Sequence, residues 1–146
     1  GINKIDLGKC ITIDSLKTAF PDSTIKMKIS EDDGYDYHYA EIKNSKYLIN
    51  VLMNHMDACL VNEFNVTKSP FPDKFGVKIG MTYEEVKKLR PEITHKTNYH
   101  FHTILSAPNS NLKYEISGTF DGPDKQDFIY DEVKKWKVTQ FLIRGY

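Results

Sequence analysis

Three histidines near residue 100 form the clearest candidate for metal chemistry in this sequence. His100 and His102 flank Phe101 in a run of β-type residues, where alternate side chains face the same side and both imidazoles could reach one ion. His95 would supply a third ligand if that strand bends. In the competing interpretation, both histidines lie on a solvated strand face while Phe101 packs inward. We favour that interpretation, so His100 and His102 are weak metal candidates and the chain is expected to need no metal ion or cofactor.

Tyrosines supply a second group of candidates for binding. Tyr35, Tyr37 and Tyr39 would share one face of a strand. Such a stripe could bind a sugar or a peptide, but it is also typical of a core or of a covered sheet face. We treat the three tyrosines as partner-binding candidates and keep the structural role as an alternative.

A third group of candidates lies among charged residues in the segment 121–132. Phe128, Ile129 and Tyr130 are adjacent there, and the segment has no counterpart in the first half of the chain. Apolar side chains on a projecting loop can anchor a protein partner. They can also fold back over an open sheet edge. Both roles remain open at this point.

No pattern in the sequence predicts catalysis. The serines lack a nucleophile-elbow motif, and the glycines form neither a phosphate-binding loop nor a dinucleotide fingerprint. Cys10 and Cys59 have no adjacent histidine that would activate a thiolate. We therefore predict a protein that is not an enzyme and has no catalytic residues.

The two cysteines also bear on the compartment. Cys10 and Cys59 are compatible with one disulfide in an oxidising compartment, or with two buried thiols. The sequence contains no CxxC motif and no Cys/His cluster with zinc spacing.

An internal repeat organises the chain. Residues 12–22 align with residues 82–92 at a constant offset, and both halves then continue into β-type runs. The matches include Thr12 with Thr82, Leu16 with Val86 and Pro21 with Pro91. We interpret residues 7–67 and 75–146 as pseudo-repeats joined by a proline-containing connector, 67–74, within one compact domain, 1–146.

Each repeat is predicted to begin with a helix of about two turns. Thr12 or Asp14 would cap the first helix, and Thr82 with Glu85 would cap the second. The prolines end both helices. The apolar helix faces are expected to be Leu16, Ala19 and Phe20 in the first repeat, and Val86 and Leu89 in the second.

Strands are predicted to follow each helix, because a helix this short needs a sheet to pack on. The predicted strands cover 25–29, 35–42, 47–53, 58–66, 94–105, 112–120 and 137–144. Short sequential strands with tight turns favour antiparallel pairing. The predicted fold class is α+β, as two tandem pseudo-repeats that each pack a short helix on an antiparallel β-meander.

Charge and hydropathy exclude other classes of partner. Twenty basic residues balance twenty acidic ones, whereas binding to a nucleic acid or an anionic membrane needs a basic excess. No stretch approaches the roughly 20 apolar residues of a transmembrane helix.

Three blocks of sequence carry a family resemblance. They are Gly-Val-Lys-Ile-Gly at 76–80, Tyr-Glu-Ile-Ser-Gly-Thr-Phe-Asp-Gly-Pro at 114–123 and Val-Lys-Lys-Trp-Lys-Val at 133–138. With these blocks the chain resembles the enterobacterial lipoproteins controlled by the envelope-stress sigma factor, a family of unknown function. The resemblance implies a protein on the periplasmic side of the envelope, lipid-anchored to the outer membrane, with its signal peptide removed. Membrane contact would then occur only through an anchor that this sequence lacks.

A looser resemblance concerns the start of the second helix. Ile-Gly-Met-Thr at 79–82, followed by Glu85 and Val86, is similar to small envelope lipoproteins that assist outer-membrane protein assembly, and to tandem-repeat proteins that inhibit β-lactamases. Such a likeness concerns fold more than function. We therefore expect a non-catalytic envelope protein that acts by surface or protein binding on an unidentified envelope protein or ligand. The alternatives are a proteinaceous enzyme inhibitor and a small-ligand or metal carrier.

Overall fold

The computed structural model describes residues 7–32, 34–54, 57–98 and 100–144. These ranges contain eight strands and three short helices, and the strand pairs with a defined register are antiparallel. The protein is therefore α+β, with strands dominating. Its contacts divide it into two compact units. Unit 1 extends to Lys68 and takes in Ile143 and Arg144, and unit 2 is Ser69–Leu142.

Unit 1 has one helix followed by four strands, which lie in the order β1-β2-β3-β4. The elements are α1 (Ile13–Ala19), β1 (Thr24–Asp32), β2 (Tyr35–Lys43), β3 (Leu48–Asn54) and β4 (Asp57–Lys68).

Local chemistry sets both ends of α1. Thr12 Oγ1 accepts from the Ser15 backbone N–H at 3.1 Å, and Ser15 Oγ accepts from the Thr12 N–H at 3.0 Å. This reciprocal pair satisfies two donors that the first turn cannot use. At the other end the Phe20 N–H donates to the Leu16 carbonyl, and Pro21 prevents a further turn.

The core of unit 1 forms on one face of its sheet. The register places Val51 between Ala40 and Phe64 on neighbouring strands, and all three are at most 1% exposed. Helix α1 contributes Leu16, which is fully buried. Burying a side chain of this size stabilises the fold by about 1.5–3 kcal/mol. The predicted helix face is confirmed by the burial of Leu16, Ala19 and Phe20.

Arg144, near the end of the chain, belongs to unit 1 and forms an ion pair there. The predicted second repeat, 75–146, includes this residue and does not anticipate the contact. Arg144 Nε donates to the carboxylate of Glu63, a residue of β4 that is only 8% exposed. Burial lowers the pKa of Arg144. A carboxylate this deeply buried requires such a partner, because desolvation of an unpaired charge is costly.

Unit 2 also has a helix followed by strands, with a second short helix before the last one. Its strands lie in the order β5-β6-β7-β8. The elements are α2 (Tyr83–Leu89), β5 (Thr94–Thr97), β6 (Thr103–Ser106), β7 (Leu112–Ser117), α3 (Tyr130–Val133) and β8 (Lys137–Arg144), which belongs to unit 2 as far as Leu142.

The prediction of one strand over 94–105 is wrong. A tight loop separates β5 from β6, in which the Asn98 N–H donates to the His102 carbonyl at 2.9 Å and Phe101 has a φ of 63°. The Asn98 side chain accepts two further backbone N–H groups of the loop. An asparagine that caps its own turn in this way competes with strand pairing, so the run folds as a hairpin.

The predicted apolar face of α2 is partly wrong. Tyr83 and Val86 are buried at 1% and 0%, but Leu89 is 44% exposed. The helix starts at Tyr83, so its inward face runs through positions 83, 86 and 90. The buried residue at the end of this face is Arg90, which is 2% exposed.

Arg90 is held by a polar network inside unit 2. Its Nη1 donates to the Tyr114 hydroxyl at 3.0 Å and to the Leu112 carbonyl at 3.3 Å, and its guanidinium carbon lies 4.0 Å from the centroid of the Phe75 ring. The Tyr114 hydroxyl donates a hydrogen bond to Asp73. The pKa of Tyr114 is raised, mainly because the hydroxyl is buried. The network therefore links the end of α2 to β7 and to the chain before α2.

Candidate functional site

Three aromatic rings form a cluster in residues 118–136 of unit 2, which we call the aromatic segment. The Phe128 ring packs edge-on between Phe120 and Trp136, with centroid distances of 5.0 and 5.1 Å. Such tilted contacts are the favourable geometry for aromatic pairs. Two glycines leave room for the rings. A Cβ atom on Gly118 would overlap the Trp136 indole, and one on Gly122 would overlap Phe120.

Hydrogen bonds attach this segment to the sheet and to α2. His95 Nε2 lies 2.6 Å from the Phe128 carbonyl oxygen, and His95 Nδ1 lies 3.1 Å from the Tyr83 hydroxyl. A neutral imidazole protonated at Nε2 satisfies both contacts, because it donates to the carbonyl and accepts from the hydroxyl. Burial raises the pKa of Tyr83 to about 12, so its hydroxyl retains the proton. Tyr130 packs edge-on against Tyr83 at 5.0 Å.

A charged clamp fixes the backbone next to the cluster. The Ile129 N–H donates to Glu132 Oε1 at 3.0 Å, and Glu132 is ion-paired with Lys125 at 2.8 Å. The pKa of Glu132 lies below its ordinary value, mainly because of its hydrogen bond with Lys125. Lys125 Nζ also lies 5.0 Å from the centroid of the Phe120 ring, where a cation is attracted to the aromatic face.

These contacts leave one apolar side chain exposed. Ile129 is 65% exposed, whereas its neighbours Phe128 and Tyr130 are half-buried. Asp124 and Asp127 are exposed nearby, and the stretch 121–132 contains five acidic residues and one lysine. The segment therefore has an exposed isoleucine whose backbone N–H is hydrogen-bonded to Glu132, within a stretch of sequence that is rich in acidic residues.

The three candidates in this segment therefore have different environments. Phe128 and Tyr130 pack inward, and Ile129 projects outward. Sequence reasoning missed the part played by Phe120 and Trp136. The signal that could have indicated it is the pair of glycines on either side of Phe120, which accommodate bulky rings.

The tyrosine candidates lie on β2 of unit 1. Tyr39 pairs in register with Leu52 of β3, on the sheet face opposite the buried Ala40. Tyr35 is 58% exposed, and Tyr37 and Tyr39 are half-buried. The three side chains share this face without forming part of the apolar core.

The metal candidates lie in the loop between β5 and β6, so the argument from alternating strand residues is wrong. The backbone N–H groups of His100 and His102 both donate to Asn98 Oδ1 at 3.0 Å. The His102 imidazole contacts the Glu115 carboxylate, and Phe101 is 56% exposed instead of packing inward. Within the described ranges, no three His, Cys, Asp or Glu side chains gather where they could hold a metal ion.

Cys10 and Cys59 form a disulfide in unit 1, with their Cα atoms 4.6 Å apart. The Ile11 N–H donates to the Cys59 carbonyl at 2.9 Å, so the chain before α1 is also hydrogen-bonded to β4.

The described helices include none that is both long and apolar enough to cross a bilayer.

Comparison with known proteins finds a likeness of structure. No protein family and no curated protein matches this chain. The crystal structure of the uncharacterized protein YfeY from Escherichia coli matches over 99% of this chain and 96% of that chain, with a TM-score of 0.72 and 18% identity. At this identity the match speaks to architecture alone, and the chain shares the fold of YfeY along nearly its whole length.

Proposed function

We propose that this chain is a non-catalytic cell-envelope protein, built from two copies of one helix-and-meander module, that binds a protein partner through Ile129. Two features support a duplicated module: each unit has a short helix and then four strands, with an additional helix before the last strand in unit 2, and α1 and α2 have threonine caps at matching positions. The disulfide suits the oxidising periplasm. A lipid anchor to the outer membrane, as the sequence resemblance implies, completes the proposal.

The observation that carries the proposal is the exposure of Ile129 on a backbone that is hydrogen-bonded to Glu132. Binding through a residue whose backbone is already hydrogen-bonded loses less conformational entropy than binding through an unrestrained loop. Protein interfaces commonly centre on such an apolar anchor with a polar rim. Because Asp124 and Asp127 are exposed and lie close to Ile129 in the sequence, the expected partner presents an apolar pocket with lysine or arginine beside it.

A photo-crosslinking amino acid placed at position 129 of the full-length protein tests this in intact cells. We expect one discrete adduct from position 129, weakened when Asp124 and Asp127 are changed to asparagine. Phe71 is a matched control position, because it is an exposed aromatic residue (54%) outside the segment. Absence of a discrete adduct at 129, or the same adduct from position 71, would refute the proposed surface.

The membrane attachment needs a separate experiment. Cells that express the full-length gene should incorporate labelled fatty acid into the protein and retain it in the outer-membrane fraction. A protein recovered entirely in the soluble fraction, without label, would contradict the lipid anchor while leaving the binding surface untouched.

A further inference from the structure

A short stretch of unit 1 pairs with β4 just before α1. Residues 8–11, which we call the clasp segment, run antiparallel to residues 59–61. The Gly8 N–H donates to the Val61 carbonyl at 2.8 Å, and the Val61 N–H donates to the Lys9 carbonyl at 3.0 Å. A third backbone hydrogen bond, at 2.9 Å, lies at the other end of the segment. The clasp segment is therefore a short added strand on β4.

The clasp segment contributes little to the core of unit 1. Residues 8–10 are exposed and Ile11 is half-buried, so none of its side chains is buried. A short pairing of two strands without a buried face is marginal in water. The disulfide between Cys10 and Cys59 joins the same two stretches of chain covalently. We therefore expect the disulfide to be the contact that keeps the segment on β4.

Helix α1 is fixed independently of the clasp segment. Reciprocal hydrogen bonds between Thr12 and Ser15 close its first turn, and Leu16 is fully buried. Separation of residues 8–11 from β4 would leave these contacts in place. The change would be confined to one strand pairing, and it would leave the backbone groups of β4 that face the segment open to solvent.

The two bridged cysteines differ in accessibility. Cys10 is exposed, whereas Cys59 is half-buried. In thiol–disulfide exchange a thiolate must reach one sulfur of the bond, and exposed disulfides are commonly the labile or regulatory ones. An incoming thiolate therefore reaches Sγ of Cys10 more readily, with Sγ of Cys59 as the leaving group.

We infer that the bridge is a site of reversible reduction by a dithiol reductant, and that its redox state decides whether the clasp segment pairs with β4. One thiolate of the reductant attacks Sγ of Cys10 and forms a mixed disulfide, while Sγ of Cys59 leaves as a thiolate and takes up a proton. The second thiolate of the reductant then closes the reductant's own disulfide and releases Cys10, which also takes up a proton. Two electrons and two protons pass from the dithiol to the protein.

Reduction of the native chain tests the site of attack. Brief treatment with reduced glutathione, without denaturant and quenched with N-ethylmaleimide, should place glutathione on Cys10 and maleimide on Cys59. Dithiothreitol under the same conditions should yield both thiols with an unchanged far-UV circular dichroism spectrum. A bridge that is reduced only after denaturation, or glutathione found mainly on Cys59, would overturn the inference.

Hydrogen exchange tests the release of the segment. The N–H groups of Ile11 and Val61 donate between the segment and β4, and both should exchange at least about tenfold faster in the reduced chain. The Phe20 N–H, which donates within α1, is the internal control and should be unaffected. Equal protection of Ile11 and Val61 in both redox states would refute the coupling between the bridge and the pairing.

Two glycines provide matched variants for the same coupling. Gly8 and Gly34 have φ angles of 74° and 80°, and an added Cβ would meet no atom within 4 Å at either position. Alanine is therefore strained at both by the backbone alone. Gly8 lies in the clasp segment, whereas Gly34 lies between β1 and β2.

The measurement is the equilibrium of each variant with a glutathione buffer. Gly8→Ala should shift it towards the reduced chain by about fivefold, because release of the segment relieves the strain. Gly34→Ala should leave it unchanged. No shift from Gly8→Ala, or an equal shift from both variants, would contradict the inference.

Discussion

Replacing Gly118 with alanine tests whether the aromatic segment depends on close packing of an indole against bare backbone. The added Cβ would overlap three atoms of the Trp136 ring. Gly118 does not have a positive φ, so alanine fits the backbone and the effect comes from the ring alone. To relieve the overlap, the indole or the neighbouring backbone must shift, which disturbs the packing of Trp136 against Phe128.

The expected loss of stability combines three terms. Overpacking a side chain costs about 1–3 kcal/mol, and loss of the contact between Trp136 and Phe128 costs about 0.5–1.5 kcal/mol. Alanine recovers about 0.4–1 kcal/mol by restricting the unfolded chain. We therefore expect Gly118→Ala to lower the free energy of unfolding by about 0.5–4 kcal/mol.

Urea unfolding followed by circular dichroism measures this change, and a double-mutant cycle isolates its cause. In a Trp136→Ala background, Gly118→Ala should be neutral or slightly stabilising, because the ring it would strike is gone. Trp136 is the protein's single tryptophan, so its fluorescence should report greater solvent exposure in Gly118→Ala. Equal destabilisation in both backgrounds, or no destabilisation at all, would refute the packing argument.

Three further predictions concern the polar groups and the disulfide. Arg90→Ala should lower the free energy of unfolding by at least about 3 kcal/mol, since it leaves several buried hydrogen-bond partners unpaired; an unchanged urea midpoint would show that the network contributes little. Lys125 holds the pKa of Glu132 below its ordinary 4.5, so the Glu132 carboxylate stabilises the fold above that pH and loses this contribution as the pH falls below it. The difference in Tm between the wild type and Glu132→Gln should therefore shrink as the pH drops from about 5 to about 3, and a difference that stays constant would contradict the assignment. Replacing Cys10 and Cys59 with serine should cost about 2–5 kcal/mol, because their separation of 49 residues closes a long loop; thiol titration of the unreduced, denatured wild type should find no free thiol.

Local elements were the most predictable part of this protein. The stop at Pro21 follows from the sequence, and of the two possible caps, Thr12 and Asp14, the structure has Thr12, because a cap and a proline both act within one turn. The alternation at Ile25, Met27 and Ile29 correctly predicted strand β1. Alternation did not predict that Met27 and Ile29 would be exposed, because exposure depends on what lies beyond the strand.

Two expectations fail for different physical reasons, one local and one long-range. His100 and His102 were placed on a strand from their spacing, but the Asn98 side chain bonds both backbone N–H groups and turns the chain. Arg90 was not expected in the core, because a guanidinium is buried only where partners distant in sequence satisfy its donors.

The sequence by itself determined what depends on near neighbours: helix ends, strand periodicity, balanced charge and the absence of recognisable catalytic motifs. Only the tertiary structure decided which of three adjacent apolar residues, Phe128, Ile129 and Tyr130, is exposed. Phe128 meets rings at positions 120 and 136, and Tyr130 meets a ring at position 83, so both pack inward and Ile129 projects outward. Which of these three side chains is buried depends on contacts with remote parts of the chain, and the local sequence does not distinguish them.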